Sequence, residues 1–500
     1  MNQDNGGVIG KINTPTTTVA SGVWTLQDQF EAQSSSIWPP AFPRITFTNS
    51  VRLNKSDSPY FNRTNGTATN NDKYTLSLWT KRGIVSSAFE FLMEGWTSNS
   101  DTACGILRFR SDDRLDFMGY NTVWRRTTRV FRDVTAWYNI IIAVDTTQST
   151  ASDRVKMYIN GVEETQFDTN NNPSQNANTG INNDSANLNL FRRYLGSSND
   201  LHYGGYCTEY ILVDGQTLDQ NSFGAFNPVT NIWEPIAYTG TYGTNGFKLN
   251  FSDSSALGDD TSGNGNDFTA NNLASTDQST DTCSINVATW NPLDNYYGQG
   301  TTSEGNIRYT TGSTNQAPIP ATIGVSNGKW YWEVKFVSDT GGYAMIGIAS
   351  SQTTANNELG HNSTDYAYVS GTGQYRNNDG YTSYGNTYTT GDIIGVALDL
   401  DNNKLYFSKN GTFQNSGDPT SGSTGTGAIS ITAPTSTPYG NYFPALSDFG
   451  SNTVVFDGNF GSPSFSISSG NADANGHGNF EYSVPSGYFA LNTKNLSEFG

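Results

Sequence analysis

Three histidines are the side chains of this sequence best suited to proton transfer, and their surroundings argue against catalysis. His202, His361 and His477 each lie in a stretch rich in Gly, Asn, Ser and Asp. None belongs to a nucleophile elbow or to a His-x-x-x-His spacing. The pattern Glu-x-Asp-x-x-Glu, which would place paired carboxylates on one strand for glycoside cleavage, is also missing from the sequence. We therefore expect a protein that is not an enzyme, with a glycosidase built from distant carboxylates as the alternative.

Oxygen ligands cluster on one loop, at Asp259, Asp260, Asn264, Asn266 and Asp267. Carboxylate and amide oxygens on a Gly-containing loop are the ligands that Ca²⁺ prefers. The spacing is not that of an EF-hand, and hydrogen-bonded Asx turns explain the same residues without a metal. The sequence therefore predicts no cofactor, with calcium at this loop as the open alternative.

A run of tyrosines is typical of a binding surface. Six tyrosines fall within residues 366–388 among Gly, Asn, Ser and Thr, and Tyr375, Tyr381 and Tyr384 are the most loop-like. A tyrosine ring is rigid and amphipathic, so ordering it at an interface costs little entropy. We predict that these three rings bind a ligand. The alternative is that rings at alternating strand positions face a core.

A small basic island, Trp124, Arg125 and Arg126, stands out in an acidic chain. Trp and Arg are the residues most favoured at interface hot spots. We predict that these three residues also bind a ligand. The alternative is a solvated strand edge, where charges prevent pairing with other chains.

The composition predicts the elements that must hold these residues. Of 500 residues, 35 % are hydrophobic, yet the chain has 27 Tyr, 27 Phe and 10 Trp. Gly, Asn, Ser and Thr disfavour helix, while abundant aromatics exclude a disordered chain. Short aromatic-rich strands joined by polar loops satisfy both conditions. We predict an all-β protein of two antiparallel β-sandwich domains of jelly-roll type, joined by an irregular connector and preceded by an extended N-terminal arm.

The net charge limits the kinds of partner that the protein can bind, and the cysteines indicate the redox state of its compartment. A formal charge of −18 disfavours binding to nucleic acid and to anionic lipid. Three distant cysteines form no disulfide framework, which indicates a reducing compartment. No apolar run approaches the length of a membrane helix, and the first residues do not resemble a secretory signal. We expect no nucleic-acid partner and no membrane insertion.

The order of turns and apolar runs divides the chain into five segments. They are an N-terminal arm with a short helix (1–44), a first sandwich (45–235), a connector with the Asp/Gly/Asn loop (236–320), a second sandwich (321–490) and a C-terminal tail (491–500). The arm is too short to bury a core, so it needs a partner surface, either another chain or its own first domain. The arm residues predicted to anchor are Val8, Ile9, Val23, Trp24, Leu26, Phe30 and Trp38.

Two resemblances agree with this division. Residues 78–82, 137–145 and 155–162, with a Trp-Tyr strand followed by a strand ending Tyr-x-Asn-Gly-Val, resemble the laminin-G and concanavalin-like lectin fold. Residues 328–334, 345–349, 391–399, 405–411 and 442–445 resemble the ordered motifs of the SPRY (B30.2-type) domain. Both resemblances imply bent double-sheet sandwiches that bind glycans or proteins through their loops.

The two ends of the chain carry a third resemblance. Residues 6–10, 13–16, 20–26, Gln29 and 38–39, together with residues 484–496, are similar to structural proteins of tailed phages, especially marine ones. This resemblance implies a virion surface protein, made in the host cytoplasm, whose arm inserts into the particle.

The function expected from these observations is a tail or head fibre that attaches the virion to host-surface glycan or protein, as a homo-oligomer and by analogy as a trimer. A capsid or tail decoration protein is the main alternative, and a polysaccharide depolymerase is a minor one. The expected partners are therefore other virion proteins and a host-surface ligand.

Overall fold

The computed structural model describes residues 45–85, 88–228, 230–295, 300–314, 317–341, 343–351, 355–450 and 452–500. The predicted anchoring residues Val8, Ile9, Val23, Trp24, Leu26, Phe30 and Trp38 lie outside these ranges. Within them the protein is all-β, as predicted, with antiparallel sheets and one short α-helix.

The first sandwich consists of two large sheets whose strands come mainly from residues 50–214. In chain order its first strands are β1 (Ser50–Leu53), β2 (Tyr60–Thr64), β3 (Lys73–Arg82), β4 (Glu90–Trp96), β5 (Cys104–Phe109), β6 (Arg114–Met118), β7 (Val123–Val130), β8 (Tyr138–Asp145), β9 (Val155–Ile159), β10 (Val162–Glu163), β11 (Phe167–Asn170), β12 (Asn187–Leu190) and β13 (Gly205–Asp214). Strand β8, which the apolar run at 140–144 predicts to be central, lies between β9 and β3. The Asn160-Gly161 turn joins β9 to β10 with positive φ at both residues, the conformation of a tight hairpin.

Residues 219–240 form a separate small unit together with residues 45–46. It holds a two-stranded ribbon of β14 (Gly224–Phe226) and β15 (Trp233–Pro235). The Ile45 N–H donates a hydrogen bond to the Pro235 carbonyl (3.2 Å), which ties residue 45 to this ribbon.

The stretch predicted as an irregular connector contributes strands to both sandwiches. Strands β16 (Phe247–Leu249), β17 (Thr269–Asn271) and β18 (Gln278–Ser279) pair with β13, β2 and β1 of the first sandwich. The complete first sandwich therefore has one sheet in the order β10-β9-β8-β3-β13-β1-β18, with β16 on β13, and one in the order β11-β7-β6-β5-β4-β12-β2-β17. The apolar side chains facing inward from both sheets form a single core.

The second sandwich begins inside the predicted connector and extends to the C-terminal residues. Its strands are β19 (Thr301–Ser303), β20 (Arg308–Thr310), β21 (Ile319–Pro320), β22 (Lys329–Asp339), β23 (Tyr343–Ala349), β24 (Tyr366–Val369), β25 (Gln374–Asn377), β26 (Gly380–Ser383), β27 (Ile393–Asp399), β28 (Lys404–Lys409), β29 (Thr412–Phe413), β30 (Ile429–Ser430), β31 (Phe443–Phe449), β32 (Val454–Asn459) and β33 (Phe489–Ala490). One sheet has the order β19-β20-β32-β22-β27-β28-β29, with β30 on β28 and β33 parallel to β22, and the other has the order β21-β31-β23-β24-β25-β26.

The predicted C-terminal tail holds the helix α1 (Thr493–Phe499). Its N-cap, Asn492, accepts a hydrogen bond from the Asn495 N–H (2.9 Å). No helix among the described residues is long and apolar enough to span a membrane.

Short 3₁₀ turns lie at Lys55–Asp57, Ala151–Asp153, Gln220–Ser222, Ser275–Asp277, Gln414–Ser416, Pro419–Thr424 and Pro434–Ser436.

Buried polar contacts fix the two sandwiches to each other. The Lys81 ammonium, on β3 of the first sandwich, donates to the Asp281 carboxylate at 2.7 Å and to the Asn286 side chain at 2.8 Å. The Tyr206 hydroxyl of β13 donates to the Gly305 carbonyl at 2.9 Å. Because Lys81 and Asp281 are both buried, their separation would leave uncompensated charge inside the protein.

Candidate functional site

An open pocket lies at one end of the six-stranded sheet of the second sandwich, where β23 ends and β31 begins. Ala349, the last residue of β23, is paired with Phe443, the first residue of β31. The edge strand β21 follows on the other side of β31. The cavity has a volume of about 370 Å³ and is lined by Asn291, Asp294, Ala317, Pro318, Pro320, Ala321, Ala349, Ser351, Tyr439, Asn441 and Phe443. We call it the Tyr439 pocket.

Two aromatic rings form one wall of the Tyr439 pocket. The rings of Tyr439 and Phe443 meet edge to face, with centroids 6.0 Å apart and planes at 83°. Tyr439 is 42 % exposed. A Cβ on Gly324 would lie 2.4 Å from the tip of the Phe443 ring, so any other residue at position 324 would clash with this ring.

A buried serine holds the loop that carries Tyr439. The Ser350 hydroxyl donates to the Asn441 carbonyl (2.5 Å), and the Ser350 carbonyl accepts from the Tyr439 N–H (3.2 Å). The Ser350 N–H in turn donates to the Asp365 carboxylate (3.0 Å). The backbone of the loop is thus tied to the strand end at several points.

Negative charge acts on this end of the pocket. Burial raises the pKa of the Tyr439 phenol above its usual value, and the charges of Asp294 and Asp365 raise it further. Burial also raises the pKa of Asp365, against the opposing effect of hydrogen bonds from Asn362, Ser350 and Ser351.

The lining combines apolar and polar side chains. Among its eleven described residues none is His, Cys, Lys or Arg. Apolar walls with a few convergent polar groups are typical of a recognition pocket, and a volume near 370 Å³ is at the lower end of the range for such pockets.

The three tyrosines predicted to bind a ligand have different environments. Tyr384 is 7 % exposed, packs edge-on against Phe407 and accepts a hydrogen bond from the Phe407 N–H (3.0 Å). Tyr375 is half-buried against Tyr384. Tyr381 is 43 % exposed on β26, with the Arg376 guanidinium 5.5 Å from its ring centroid. Of the three rings, Tyr381 alone offers a large accessible surface.

The predicted basic island is mostly interior. Trp124 belongs to the core of the first sandwich and packs on Phe117 (5.1 Å). Arg125 is buried; it donates to the Val155 carbonyl (2.8 Å), and burial lowers its pKa to about 10. Arg126 pairs with the buried Asp116 carboxylate at 2.8 Å. The alternation of the strand places these side chains on both faces, which the sequence run alone does not show.

The Asp/Gly/Asn loop is held by hydrogen bonds to its own backbone. The two oxygens of Asp260 accept from the N–H groups of Lys248 and Ser262 (2.8 and 2.9 Å) and from the Asn266 N–H and the Ser262 hydroxyl (both 2.8 Å). An Asp267 oxygen accepts from the Asp260 N–H (2.9 Å).

The remaining predicted metal ligands also have protein partners or face solvent. The Asn264 side chain donates to the Gly243 and Gly246 carbonyls, and the Asn266 oxygen accepts from Arg63 (2.7 Å). Asp259 is exposed. In the part of the chain that the structure describes, no group of three His, Cys, Asp or Glu could hold a metal ion.

Sequence reasoning missed the Tyr439 pocket because its walls come from distant segments. Two signals were present: the Pro318-Ile319-Pro320 run, and Tyr439 in a Pro-Tyr-Gly-Asn turn just before a strand. An aromatic residue at the tip of a turn is exposed unless it packs back on its own domain.

Family comparisons establish the domain content. The SPRY domain matches residues 329–430, and the concanavalin A-like lectin/glucanases superfamily matches residues 55–199. Both resemblances inferred from the sequence motifs of the two sandwiches are therefore confirmed at the level of the domains.

Curated proteins of animals align with part of the chain. Ran-binding protein 10 of Danio rerio is 34 % identical over 143 residues, which cover 24 % of this chain and 22 % of the relative. Ran-binding protein 9 of Homo sapiens is 38 % identical over 104 residues, covering 19 % and 13 %. ATP-dependent RNA helicase DDX1 of Xenopus laevis is 36 % identical over 91 residues, covering 18 % and 12 %. The chain thus spans less than a quarter of the length of these relatives.

Solved structures resemble parts of the chain at low identity. The SPRY domain of human HERC1 has a TM-score of 0.27 at 17 % identity and covers 34 % of this chain and 96 % of that one. A putative carbohydrate binding protein from Bacteroides ovatus has a TM-score of 0.30 at 14 % identity and covers 46 % and 61 %.

The virion assignment is wrong. It rested on the similarity of the chain ends to phage structural proteins, whereas the relatives above are Ran-binding proteins and a helicase of animals. This finding overturns the predicted fibre, decoration and depolymerase roles, the predicted virion and host-surface partners, and the predicted place on a virion surface. Gly-rich and Pro-rich end segments are too permissive in sequence to identify a function.

Proposed function

We propose that this chain is a non-catalytic protein-binding module, in which the Tyr439 pocket takes an extended segment of a partner protein. The observation that carries this proposal is an open pocket with a 42 % exposed tyrosine at its rim, on a loop whose backbone is held by buried hydrogen bonds. A pre-positioned aromatic ring is a typical binding hot spot, since little entropy remains to be lost on association.

The rest of the protein supports such a role. The buried Lys81–Asp281 pair and the Tyr206–Gly305 hydrogen bond join the first sandwich to the segment that leads into the second sandwich, which carries the pocket. The stretches that align with the relatives are 91 to 143 residues long, the size of one module, and they occur in relatives with different names. A module of this kind supplies binding, while the chemistry belongs to its partners.

The first partner to test is Ran, for which the relatives of this chain are named. The full chain is immobilised and titrated with purified Ran, and separately used to select binders from a yeast-displayed library of random 12-residue peptides. Binding is compared between the natural chain, Tyr439→Ser and the matched control Tyr381→Ser. Tyr381 has almost the same exposure (43 %) and lies on β26 of the sheet at whose end the pocket lies, but it is not among the residues lining the pocket.

We expect Tyr439→Ser to weaken binding by about 30-fold, as for a hot-spot aromatic worth roughly 2 kcal/mol, and Tyr381→Ser to leave it within about twofold. Equal binding by all three proteins, or loss of binding in Tyr381→Ser alone, would reject the Tyr439 pocket as the binding site. Thermal melts of the three proteins exclude unfolding as the cause.

A further inference from the structure

A buried lysine at the junction of the two sandwiches contacts an aspartate and an asparagine side chain at the same time. We propose that Lys81 and Asn286 form an intramolecular amide bond, with Asp281 moving the protons. The chain thereby cross-links its first sandwich to the segment that leads into the second. This inference concerns a covalent modification and is independent of what the Tyr439 pocket binds.

The three groups meet at the side-chain nitrogen of Lys81. Its Nζ lies 2.7 Å from an oxygen of Asp281 and 2.8 Å from Oδ1 of Asn286. A carbonyl bond is about 1.2 Å long, so Nζ is at most about 4 Å from the Asn286 Cγ that it attacks. Reacting atoms in a near-attack arrangement are about 3–3.5 Å apart, so a small rotation of the Asn286 side chain completes the approach.

Further hydrogen bonds hold both partners of Lys81 in place. The Asn286 amide donates to the Thr135 carbonyl (2.7 Å). The Trp137 indole donates to Oδ1 of Asp281 (3.2 Å), which leaves Oδ2 of that carboxylate for Lys81. Positioning a nucleophile against a carbonyl in this way gives the pair a high effective concentration.

Burial distinguishes Lys81 from an ion-paired lysine of the surface. The side chains of Lys81 and Asp281 are 2 % and 1 % exposed, whereas the lysine of the Lys248–Glu209 pair is 20 % exposed. Water stabilises the charged forms of an amine and a carboxyl group, and its exclusion removes that stabilisation. Proton transfer across the 2.7 Å contact then leaves an amine with a lone pair that can attack a carbonyl carbon.

The bond changes balance without any co-reactant. One proton passes from the Lys81 ammonium to the Asp281 carboxylate, and the freed lone pair of Nζ forms a bond to the Asn286 Cγ while the π pair of the carbonyl moves to Oδ1. As the carbonyl re-forms, the Cγ–Nδ2 bond breaks and Nδ2 leaves as ammonia. Asp281 gives its proton to Nδ2 and takes one from Nζ in return. The products are a secondary amide, one molecule of ammonia and a protonated Asp281.

The amide bond joins two residues that are 205 positions apart in the chain. Lys81 belongs to β3 of the first sandwich, and Asn286 precedes β19, the first strand of the second. A cross-link that closes so long a segment restricts the unfolded chain, as a disulfide does. The bond therefore resists separation of the two sandwiches.

The experiment is mass spectrometry of the full chain in four forms: the natural chain, Lys81→Met, Asn286→Ser and Asp281→Asn. Each form is measured as intact protein and as denatured tryptic peptides, directly after purification and again after prolonged incubation. Trypsin cuts after Lys81 only while its amine is free, and cleavage after Lys248, whose ammonium pairs with Glu209 (3.1 Å), is the control for complete digestion. Circular dichroism identifies any variant that does not fold, and such a variant is left out of the comparison.

We expect the natural chain to be lighter than its sequence by one molecule of ammonia and to yield a peptide in which Lys81 is bonded to Asn286. The variants should lack this peptide, and Asp281→Asn isolates the role of the carboxylate because it keeps both reacting residues. The linked peptide decides the question, since Asn-Gly pairs elsewhere in the chain also lose ammonia when they cyclise.

Three results would each overturn the inference. The first is cleavage of the natural chain after Lys81 that is as complete as cleavage after Lys248 at both times. The second is a linkage of Lys81 to Asp281 with loss of water. The third is equal linkage in the natural chain and in Asp281→Asn.

Discussion

A carboxylate buried at the end of the second sandwich should make stability depend on pH. Asp448 lies in β31 with no exposed surface, and its Oδ2 accepts a hydrogen bond from the Thr311 hydroxyl (3.2 Å). Its Oδ1 has no hydrogen-bond partner among the described residues. Burial, with a smaller contribution from the charge of Glu358, raises the pKa of Asp448 from 3.8 to about 7.

The sign and size of the effect follow from this shift. Because the folded-state pKa is above the unfolded value, the protonated form stabilises the fold at low pH, and that stabilisation is lost as pH rises through about 7. Linkage between pKa values of 3.8 and about 7 gives a loss of about 2 kcal/mol in the free energy of unfolding between pH 5.5 and pH 8.5. Asp448→Asn is neutral at both pH values, and its amide oxygen can still accept from Thr311.

The assay is urea unfolding of the natural chain and of Asp448→Asn at pH 5.5 and pH 8.5, followed by tryptophan fluorescence. From pH 5.5 to pH 8.5, the free energy of unfolding of the natural chain should fall by about 2 kcal/mol more than that of Asp448→Asn. All other titrating groups are common to both proteins and cancel in this comparison.

Asp418→Asn is the control. Hydrogen bonds from the hydroxyl and the N–H of Thr420 lower the pKa of Asp418, so Asp418 titrates below both pH values. The difference in free energy of unfolding between the natural chain and Asp418→Asn should therefore be the same at pH 5.5 and pH 8.5. A stability difference for Asp448→Asn that is the same at both pH values within about 0.5 kcal/mol would refute the assignment of a raised pKa to Asp448.

Three further predictions concern the remaining polar sites. Asp281→Asn should lower the free energy of unfolding by about 3–5 kcal/mol in urea titrations, because the buried Lys81 loses its counter-charge. Lys81→Met combined with Asp281→Leu should recover part of that loss. A loss below about 1 kcal/mol for Asp281→Asn would contradict this prediction. Adding Ca²⁺ or a chelator should move the melting temperature by less than about 1 °C, since both Asp260 oxygens already accept hydrogen bonds, and a calcium-dependent rise of several degrees would show a site at that loop. Tyr384→Phe should cost about 1 kcal/mol by removing the acceptor of the Phe407 N–H, without changing peptide affinity; weakened binding would restore Tyr384 as a ligand residue.

The fold was predictable because burial determines the sequence pattern of strands. The run at Ile140–Val144 is apolar on both faces and indeed lies in the middle of its sheet, and the Asn160-Gly161 pair forms the predicted turn. The connector was harder to predict, because strands as short as β16 and β18 carry too few residues to display a period. Their pairing is decided by long-range contacts that one segment of sequence does not encode.

Binding residues were less predictable for a related reason. Tyr384 and Tyr381 are three residues apart in similar sequence surroundings. Tyr384 is 7 % exposed because its ring packs in the core, whereas Tyr381 is 43 % exposed. The Tyr439 pocket joins the ends of β21, β23 and β31, which are distant in the chain, so no local motif announces it. The virion assignment failed for the opposite reason, since it relied on local motifs without a fold to support them.

The most direct test of the central claim is hydrogen exchange of the full chain with and without a selected peptide. Binding in the Tyr439 pocket predicts slower exchange of backbone amides in residues 437–443 and 317–321, with unchanged exchange in residues 374–384 and in the first sandwich. Protection confined to residues 374–384, or found only in the first sandwich, would contradict the claim that the Tyr439 pocket is where this protein binds its partner.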